Sequence, residues 1–172
     1  MTAGLSWQGD APAACPSHER VNTILRFQEA KEPVRGLGTD LSTRDAECGR
    51  RRLVEKLESL DNRIVGYKAG LTNAKIQAQF GVTSPVRGVL LEKMLLPDGA
   101  EVPANFGARP IVEADLLVVV KDAGIHRAKT HLDVLRSLSL VIPFIELPDL
   151  IVAEGEKLSA PLIVLLNVGA RL

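Results

Sequence analysis

The sequence predicts an α+β fold in which two amphipathic helices precede a series of strands. Ser17 and Ser42 each stand where they can cap a helix, and apolar residues recur at helical spacing after both. Farther along, short apolar runs rich in β-branched residues are separated by Gly, Pro and Asp, which is typical of strands and turns. A chain of 172 residues is long enough for one domain with a substantial core.

Amino-acid composition indicates where the folded domain begins and which classes of partner are unexpected. Residues 1–16 are rich in Gly, Ala, Pro and Ser and predict a flexible N-terminal arm, so the folded domain is residues 17–172. The 21 basic and 21 acidic residues cancel without a basic stripe, which argues against nucleic acid as a partner. No run approaches the roughly 18 apolar residues that cross a bilayer. We therefore expect no membrane partner and a cytoplasmic location.

The two cysteines, Cys15 and Cys48, lack metal-ligand spacing. So few cysteines predict a reducing compartment and a fold that does not depend on a disulfide.

The N-terminal half alternates helix and strand signals. A first helix is predicted from Ser17 to about Ala30, and a second begins at the capping box Ser42/Asp45. Arginines 50–52 are expected on its solvated face. Its apolar face is predicted to comprise Ala46, Leu53, Val54, Leu57 and Leu60.

Residues 63–71 follow as a strand in which Lys68 lies between Gly66 and Gly70, and residues 73–80 form a short helix closed by Gly81. Glycine allows close approach of backbone or ligand, although a lone lysine in such a run is more often a surface residue.

The C-terminal half reads mostly as strands. Residues 86–103 are predicted to form a β-hairpin, and the apolar run at 161–166 is predicted to be a final strand. Between them, Thr130 begins a helix that should place Leu132 and Leu135 in the core.

Residues 116–120 read as a buried strand that carries candidate chemistry at its beginning. Side chains alternate along a strand, so Glu113 and Asp115 should point the same way, and Glu146 ends another apolar run. Three carboxylates on two strands form the hard oxygen site that Mg²⁺ or Mn²⁺ prefers. By spacing alone, however, a solvated strand face explains such carboxylates more often than a metal site does.

Three segments together resemble the signature of the 2-keto-4-pentenoate hydratase group of the fumarylacetoacetate hydrolase superfamily. The first is Gly-Tyr-Lys-Ala-Gly-Leu-Thr-Asn at 66–73, followed by Phe-Gly-Val at 80–82 and Pro-Val-Arg-Gly at 85–88. The second, Pro-Ile-Val-Glu-Ala-Asp-Leu at 110–116, is similar to the family's Glu-x-Glu metal strand, with Asp in the second position. The third is Pro-Phe-Ile-Glu-Leu-Pro-Asp at 143–149. They occur in the family's order from about residue 20 onward.

The resemblance implies a mixed β-roll with the N-terminal helices packed outside. It also implies one Mg²⁺ or Mn²⁺ held by Glu113, Asp115 and Glu146. This ion would chelate the 1-carboxylate and 2-oxo oxygens of a small substrate and stabilise its enolate. Lys68 matches the family's active-site lysine, and Lys68, Leu71 and Asn167 are expected at the substrate. Asp115, being shorter than Glu, is expected to shift the ion or leave one position to water.

The function implied is a metal-dependent lyase that hydrates a 2-hydroxy-2,4-dienoate to a 4-hydroxy-2-oxo acid in aromatic degradation. The alternatives are a 2-oxo-3-enedioate decarboxylase, an acylpyruvate-type hydrolase, and an inactive fragment or assembly subunit. Family members continue beyond residue 172, so the resemblance implies a roll that is incomplete at its C-terminal end. An uncovered apolar edge at 161–166 would then predict a homo-oligomer, or pairing with a full-length homologue.

Overall fold

The computed structural model describes residues 14–37 and 41–170 and is α+β, as predicted. Its helices are α1 (His18–Ala30), α2 (Thr43–Glu58), α3 (Ala74–Phe80), α4 (His131–Arg136) and α5 (Ala160–Leu165). Its strands are β1 (Ile64–Gly70), β2 (Val86–Leu91), β3 (Glu113–Val120) and β4 (Leu138–Glu146). Within the described residues, β1 pairs antiparallel with β2, and β3 pairs antiparallel with β4.

Capping residues begin the helices largely where the sequence predicts. The Ser17 side chain accepts from the Arg20 amide at the start of α1, and Ser42 and Asp45 form the predicted capping box of α2. Helix α3 is capped by Asn73 and ends at Gly81 in the left-handed conformation. These signals lie within one helical turn, which is why the sequence alone reveals them.

The core is built mainly by helices α1, α2 and α5 against β2, and we call these elements with β1 the helix-packed region. Its most deeply buried apolar side chains are Val21, Ile24, Leu53, Leu91, Ile151 and Leu165. Leu60 was expected on the buried face of α2 but lies beyond the helix and is 60% exposed.

Arg50, expected in solvent, is buried on α2, and its guanidinium donates to the Arg87 carbonyl. Burial and then the charge of Arg87 lower its pKa.

The final apolar run is a buried helix, so the prediction of an edge strand at 161–166 is wrong. Ser159 accepts from the Leu162 amide at 3.3 Å, and Pro161 lies in the first turn, two features that begin helices. Leu162 and Leu165 are then packed in the core. The predicted hairpin over 86–103 is also wrong, because β2 pairs with β1 and a 3₁₀ turn, Glu92–Met94, follows it.

The segment from β3 through α4 to β4, residues 113–146, forms a second unit that we call the hairpin region. Its apolar side chains are exposed: Leu116 at 60%, Leu140 at 58% and Ile145 at 69%. Leu132 and Leu135 on α4 are exposed as well, contrary to prediction. Strand β3 is therefore not the buried strand that its composition suggested, since all but one of its residues are exposed.

After α5 the chain passes through three consecutive residues with positive φ: Asn167 at 53°, Val168 at 58° and Gly169 at 70°. A β-branched residue rarely adopts this conformation. The turn presses Val168 against strands β1 and β2. An added Cβ at Gly70 would collide with the valine side chain, and one at Gly88 would meet the Lys68 stem and the Asn167 carbonyl oxygen first.

A disulfide joins Cys15 to Cys48, with 5.4 Å between the two Cα atoms. The sparse cysteines predicted a fold that does not depend on a disulfide, and the structure nevertheless contains one. The bond ties the described end of the predicted arm, residues 14–16, to α2; residues 1–13 lie outside the described residues. Along residues 14–37 and 41–170, no helix has the length and apolar character needed to cross a membrane.

Candidate active site

The two glutamates predicted as metal ligands face each other across the β3–β4 ladder. Glu113 pairs directly with Glu146, and Asp115 pairs with Phe144 two residues farther along. Because strand side chains alternate, Asp115 lies on the same face of β3 as Glu113. The antiparallel register thus brings the three carboxylate-bearing positions to one end of the hairpin region.

Lys68 reaches this end of the hairpin region from β1. Its Nζ donates to Oε1 of Glu146, and the two side chains are only 12% and 16% exposed. Gly88, opposite Lys68 in the β1–β2 ladder, makes room for the lysine stem, because an added Cβ there would lie 2.8 Å from Lys68 Cγ. The ion pair links the two sheets, and a partly buried pair is screened less by salt than a surface one.

Crowded negative charge changes the acidity of Glu113. Its pKa is raised by burial first, then by the charges of Glu146 and Asp115, while Lys68 acts in the opposite direction. A raised pKa means that the folded chain holds this proton more tightly than the unfolded chain does. Ionising Glu113 as the pH rises therefore destabilises the fold, and a bound cation would relieve that repulsion.

The donor set fits a hard divalent ion, although the side chains are not gathered around one point. Carboxylate oxygens are the ligands that Mg²⁺ and Mn²⁺ prefer, and crowding of like charge favours a cation between them. Within the described part of the chain, no three His, Cys, Asp or Glu side chains are grouped closely enough to hold a metal. Two of the three carboxylates already have partners. The Lys68 ammonium pairs with Glu146, and Oδ1 of Asp115 accepts from the Leu116 amide at 2.7 Å.

A cavity of about 320 Å³ joins these groups to an apolar wall. Lys68, Glu113, Asp115 and Glu146 all line it, as does Leu71, one of the predicted substrate-binding residues. The apolar side of the cavity includes Phe80, Leu150, Leu158, Ile163 and Leu166. A lining of both charged groups and hydrocarbon suits a small organic ligand with a polar and an apolar part. Because three carboxylates outnumber the one lysine, an organic acid would need a bound cation to enter.

The structure does not bring Asn167 into the cavity. Its amide is buried and holds β2 instead: Oδ1 accepts from the Val89 amide at 2.7 Å, and Nδ2 donates to the Val89 carbonyl at 2.8 Å. The side chain thus satisfies two main-chain groups as a neighbouring strand would.

Two residues at the site were not singled out from the sequence. Phe80 lines the cavity at the end of α3. Asp149 is buried and accepts from the amides of Ala108 and Arg109 at 3.1 and 2.8 Å, which fixes the segment leading into β3. Both lie inside the motifs quoted for the family resemblance, and this was the available signal.

Similar sequences and structures agree on one group of enzymes. The chain is 32% identical over 116 residues to a 2-keto-4-pentenoate hydratase of Paraburkholderia xenovorans (strain LB400), a match covering 67% of this chain and 43% of the relative. It is 33% identical over 111 residues to a 4-oxalocrotonate decarboxylase of Pseudomonas sp. (strain CF600), covering 64% of this chain and 42% of the relative. No protein-family model matches.

Among solved structures, 4-oxalocrotonate decarboxylase from Pseudomonas putida G7, in complex with magnesium and adipate, superposes with a TM-score of 0.79. The sequences are 28% identical, and the superposition covers 90% of this chain and 59% of that one. The same decarboxylase in complex with calcium and acetate gives a TM-score of 0.77. The chain spans about half the length of the relatives it matches. By sequence and by fold, the homologues of this chain are 2-keto-4-pentenoate hydratases and 4-oxalocrotonate decarboxylases.

Proposed function

We propose that this chain carries the active site of a metal-dependent lyase that hydrates a 2-hydroxy-2,4-dienoate to a 4-hydroxy-2-oxo acid. The observation that carries the proposal is the shared cavity, in which Lys68 and three carboxylates face an apolar wall. Hydratases among the relatives support the reaction class. A β-roll of the fumarylacetoacetate hydrolase type, completed by chain outside these residues, is the architecture we propose for the whole enzyme.

Glu113, Asp115 and Glu146 are the residues we propose to hold one Mg²⁺ or Mn²⁺. Magnesium and calcium in the related decarboxylase structures support a divalent ion here. When bound, such an ion supplies positive charge at the carboxylate and 2-oxo oxygens of the substrate. The shorter side chain of Asp115 leaves room for water on that side of the site.

Lys68 is proposed to act on the substrate. Its ammonium now neutralises Glu146, and a cation taking over that carboxylate would leave Nζ available to the substrate's carboxylate or to a proton transfer. The ring of Phe80 and the side chains of Leu71 and Leu158 exclude water from the alkenyl end of the substrate.

The first test is turnover of 2-hydroxypenta-2,4-dienoate by the purified chain with Mg²⁺ or Mn²⁺, followed by loss of dienoate absorbance. We expect activity that stops on chelation and returns when the ion is restored. If the dienoate is stable under all of these conditions, the chain is not a hydratase, and the inactive-fragment or assembly-subunit alternative gains support.

The second candidate is decarboxylation of a 2-oxo-3-enedioate, favoured by the decarboxylases among the relatives and solved structures. Release of CO₂ from that substrate separates it from hydration, which releases none. An acylpyruvate-type hydrolase would instead yield two carboxyl-containing products from an acylpyruvate, so product analysis distinguishes all three.

Metal binding can be tested independently of turnover by calorimetry with Mn²⁺. We expect Glu113→Gln and Glu146→Gln each to weaken binding by about tenfold or more, because each removes a charged ligand. Glu101→Gln, an exposed residue away from the cavity, is the matched control. Wild-type affinity in both site variants would place the ion elsewhere.

Lys68→Met separates binding from chemistry. We expect metal affinity to be nearly retained while turnover falls about 100-fold or more, as for loss of an acid–base or orienting group. Lys121→Met, which removes an exposed lysine at the end of β3, should change neither. Unaltered turnover in Lys68→Met would reduce this lysine to a structural link between the sheets.

We also propose that the chain forms a homo-oligomer or pairs with a full-length homologue, and that it acts in the cytoplasm on a small dienoic acid. The exposed apolar hairpin region supports association.

A further inference from the structure

The Cys15–Cys48 disulfide lies in a second cleft that shares no lining residue with the candidate active site. This cleft has a volume of about 390 Å³ and is lined by Cys15, Arg44, Glu47, Cys48 and Arg51. Both cysteines are half-buried and line the cleft, which gives a small molecule a path to the disulfide. An accessible disulfide in a charged cleft is open to attack by thiolates.

Helical spacing gives Cys48 a cationic setting. Arg44 precedes it by four residues and Arg51 follows it by three, so all three project from one face of α2. Neighbouring guanidinium groups favour a thiolate over a thiol. Glu47 also lines the cleft and opposes them, which leaves one net positive charge beside the disulfide.

The two sulfur atoms differ in this respect. Cys15 lies before α1, outside any helix or strand, whereas Cys48 is flanked by arginines of its own helix. The sulfur with the more stable thiolate is the better leaving group. Attack should therefore occur at Cys15 Sγ, with Cys48 departing.

We propose that the Cys15–Cys48 disulfide is a thiol-exchange site for small anionic thiols of the glutathione type. A thiolate attacks Cys15 Sγ, the Cys15–Cys48 bond breaks, and its electron pair leaves on Cys48 as a thiolate beside Arg44 and Arg51. A second thiolate then attacks the external sulfur of the mixed disulfide and releases Cys15. Two thiols are oxidised to one disulfide while the protein disulfide gains two electrons, and the reverse sequence re-forms the bond.

Non-covalent contacts allow this exchange to occur in the folded chain. Arg52 donates to the Pro16 carbonyl at 2.7 Å, and the buried Pro16 ring packs beside Gly49 on α2. Residues 14–16 thus remain held near α2 when the covalent bond opens. In the oxidised chain a covalent bond joins residues 14–16 to α2. In the reduced chain only packing and one hydrogen bond hold them there.

The test compares thiols of different charge at equal thiolate concentration and low ionic strength, with the oxidised full chain as substrate. We expect anionic glutathione to reduce the disulfide roughly threefold to tenfold faster than cationic cysteamine, since a positive cleft attracts anions. Trapping by alkylation and mass spectrometry should find the mixed disulfide on Cys15.

Three variants sharpen the result. Arg44→Gln combined with Arg51→Gln should abolish the preference for glutathione, and Glu47→Gln should increase it. Arg127→Gln, an exposed arginine in the hairpin region, should leave it unchanged. Equal rates for the two thiols, a mixed disulfide on Cys48, or a chain whose two cysteines do not pair under oxidising conditions would each overturn the proposal.

Discussion

The helix-packed region and the hairpin region both contain strongly apolar segments, but these segments are buried in the first region and exposed in the second. In α5, Leu162 and Leu165 are 2% and 0% exposed, whereas in β3 Leu116 and Val118 are 60% and 49% exposed. Helix α5 has α2 and β2 to pack against. Within the described residues, the β3–β4 sheet has two strands and is contacted by the short helix α4, and a two-stranded sheet is marginally stable on its own.

This difference separates two requirements of a buried segment. Apolar composition supplies the driving force for burial, but a covering layer must also be present. The hairpin region also carries the carboxylates of the candidate site, so whatever covers it in solution will also influence how firmly those ligands are held. The predictions below measure the contrast between the two regions.

The largest difference is expected between two leucine truncations. Leu53→Ala in α2 should lower the free energy of unfolding by about 2–5 kcal/mol, since Leu53 is 1% exposed and its loss leaves a cavity. Leu116→Ala in β3 should cost no more than about 0.5 kcal/mol. Urea denaturation measures both. A comparable loss for Leu116→Ala would show that β3 is covered in solution.

Asn167→Ala should also destabilise the helix-packed region strongly. It removes both partners of the buried Val89 main chain, and each unsatisfied group costs about 1–3 kcal/mol. Asn73→Ala is the matched control, because Asn73 only caps the exposed helix α3 and should cost about 1 kcal/mol. If the two variants unfold alike, the bridge from Asn167 to β2 contributes little.

Association should depend on the hairpin region. Leu140→Lys places a charge on its exposed apolar surface and should decrease the concentration-dependent mass seen by light scattering. Leu60→Lys changes an equally exposed leucine outside that region and should have no such effect. A wild-type chain that is monomeric at all concentrations would contradict the expected association.

The smallest expected effect is a loss of stability of helix α4 at low pH. The Thr130 hydroxyl, followed by the amides of Lys129 and Thr130, lowers the pKa of Asp133 by hydrogen bonding. A depressed pKa stabilises the folded helix above the ordinary carboxyl pKa of about 3.9. That contribution is lost as the pH falls through the folded pKa. The protection factors of the α4 amides, which compare the measured exchange with that of an unstructured chain at the same pH, should therefore fall on acidification in the wild type but change little with pH in Asp133→Asn.

Local signals explain which parts of the fold could be predicted. The caps at Ser17, Ser42 and Thr130 act within one turn, and the sequence places their helices correctly. The run at 161–166 was misassigned because six apolar residues fit a short strand or a buried helix equally well. Its capping Ser159 and early Pro161 were the discriminating signals.

Within the candidate site, alternation along β3 predicted that Glu113 and Asp115 share a face, and the apolar run before Glu146 indicated a third carboxylate. The family resemblance gave Lys68 its expected role. Their roles as ligands and catalyst remain predictions. Sequence could not reveal that Asn167 is committed to Val89, because that contact joins residues far apart in the chain. Nor could the sequence reveal that Arg50 is buried, because its hydrogen-bond partner is the Arg87 carbonyl on another element.

The left-handed turn at 167–169 imposes a joint constraint on two positions that are distant in sequence. Val168 fills the space left by the missing side chain of Gly70, so a methyl group gained at Gly70 requires atoms to be lost at position 168. Gly70→Ala should therefore be harmful alone and better tolerated together with Val168→Gly, which also removes an unfavourable backbone conformation. Among relatives that retain this junction, these two positions should covary rather than drift independently.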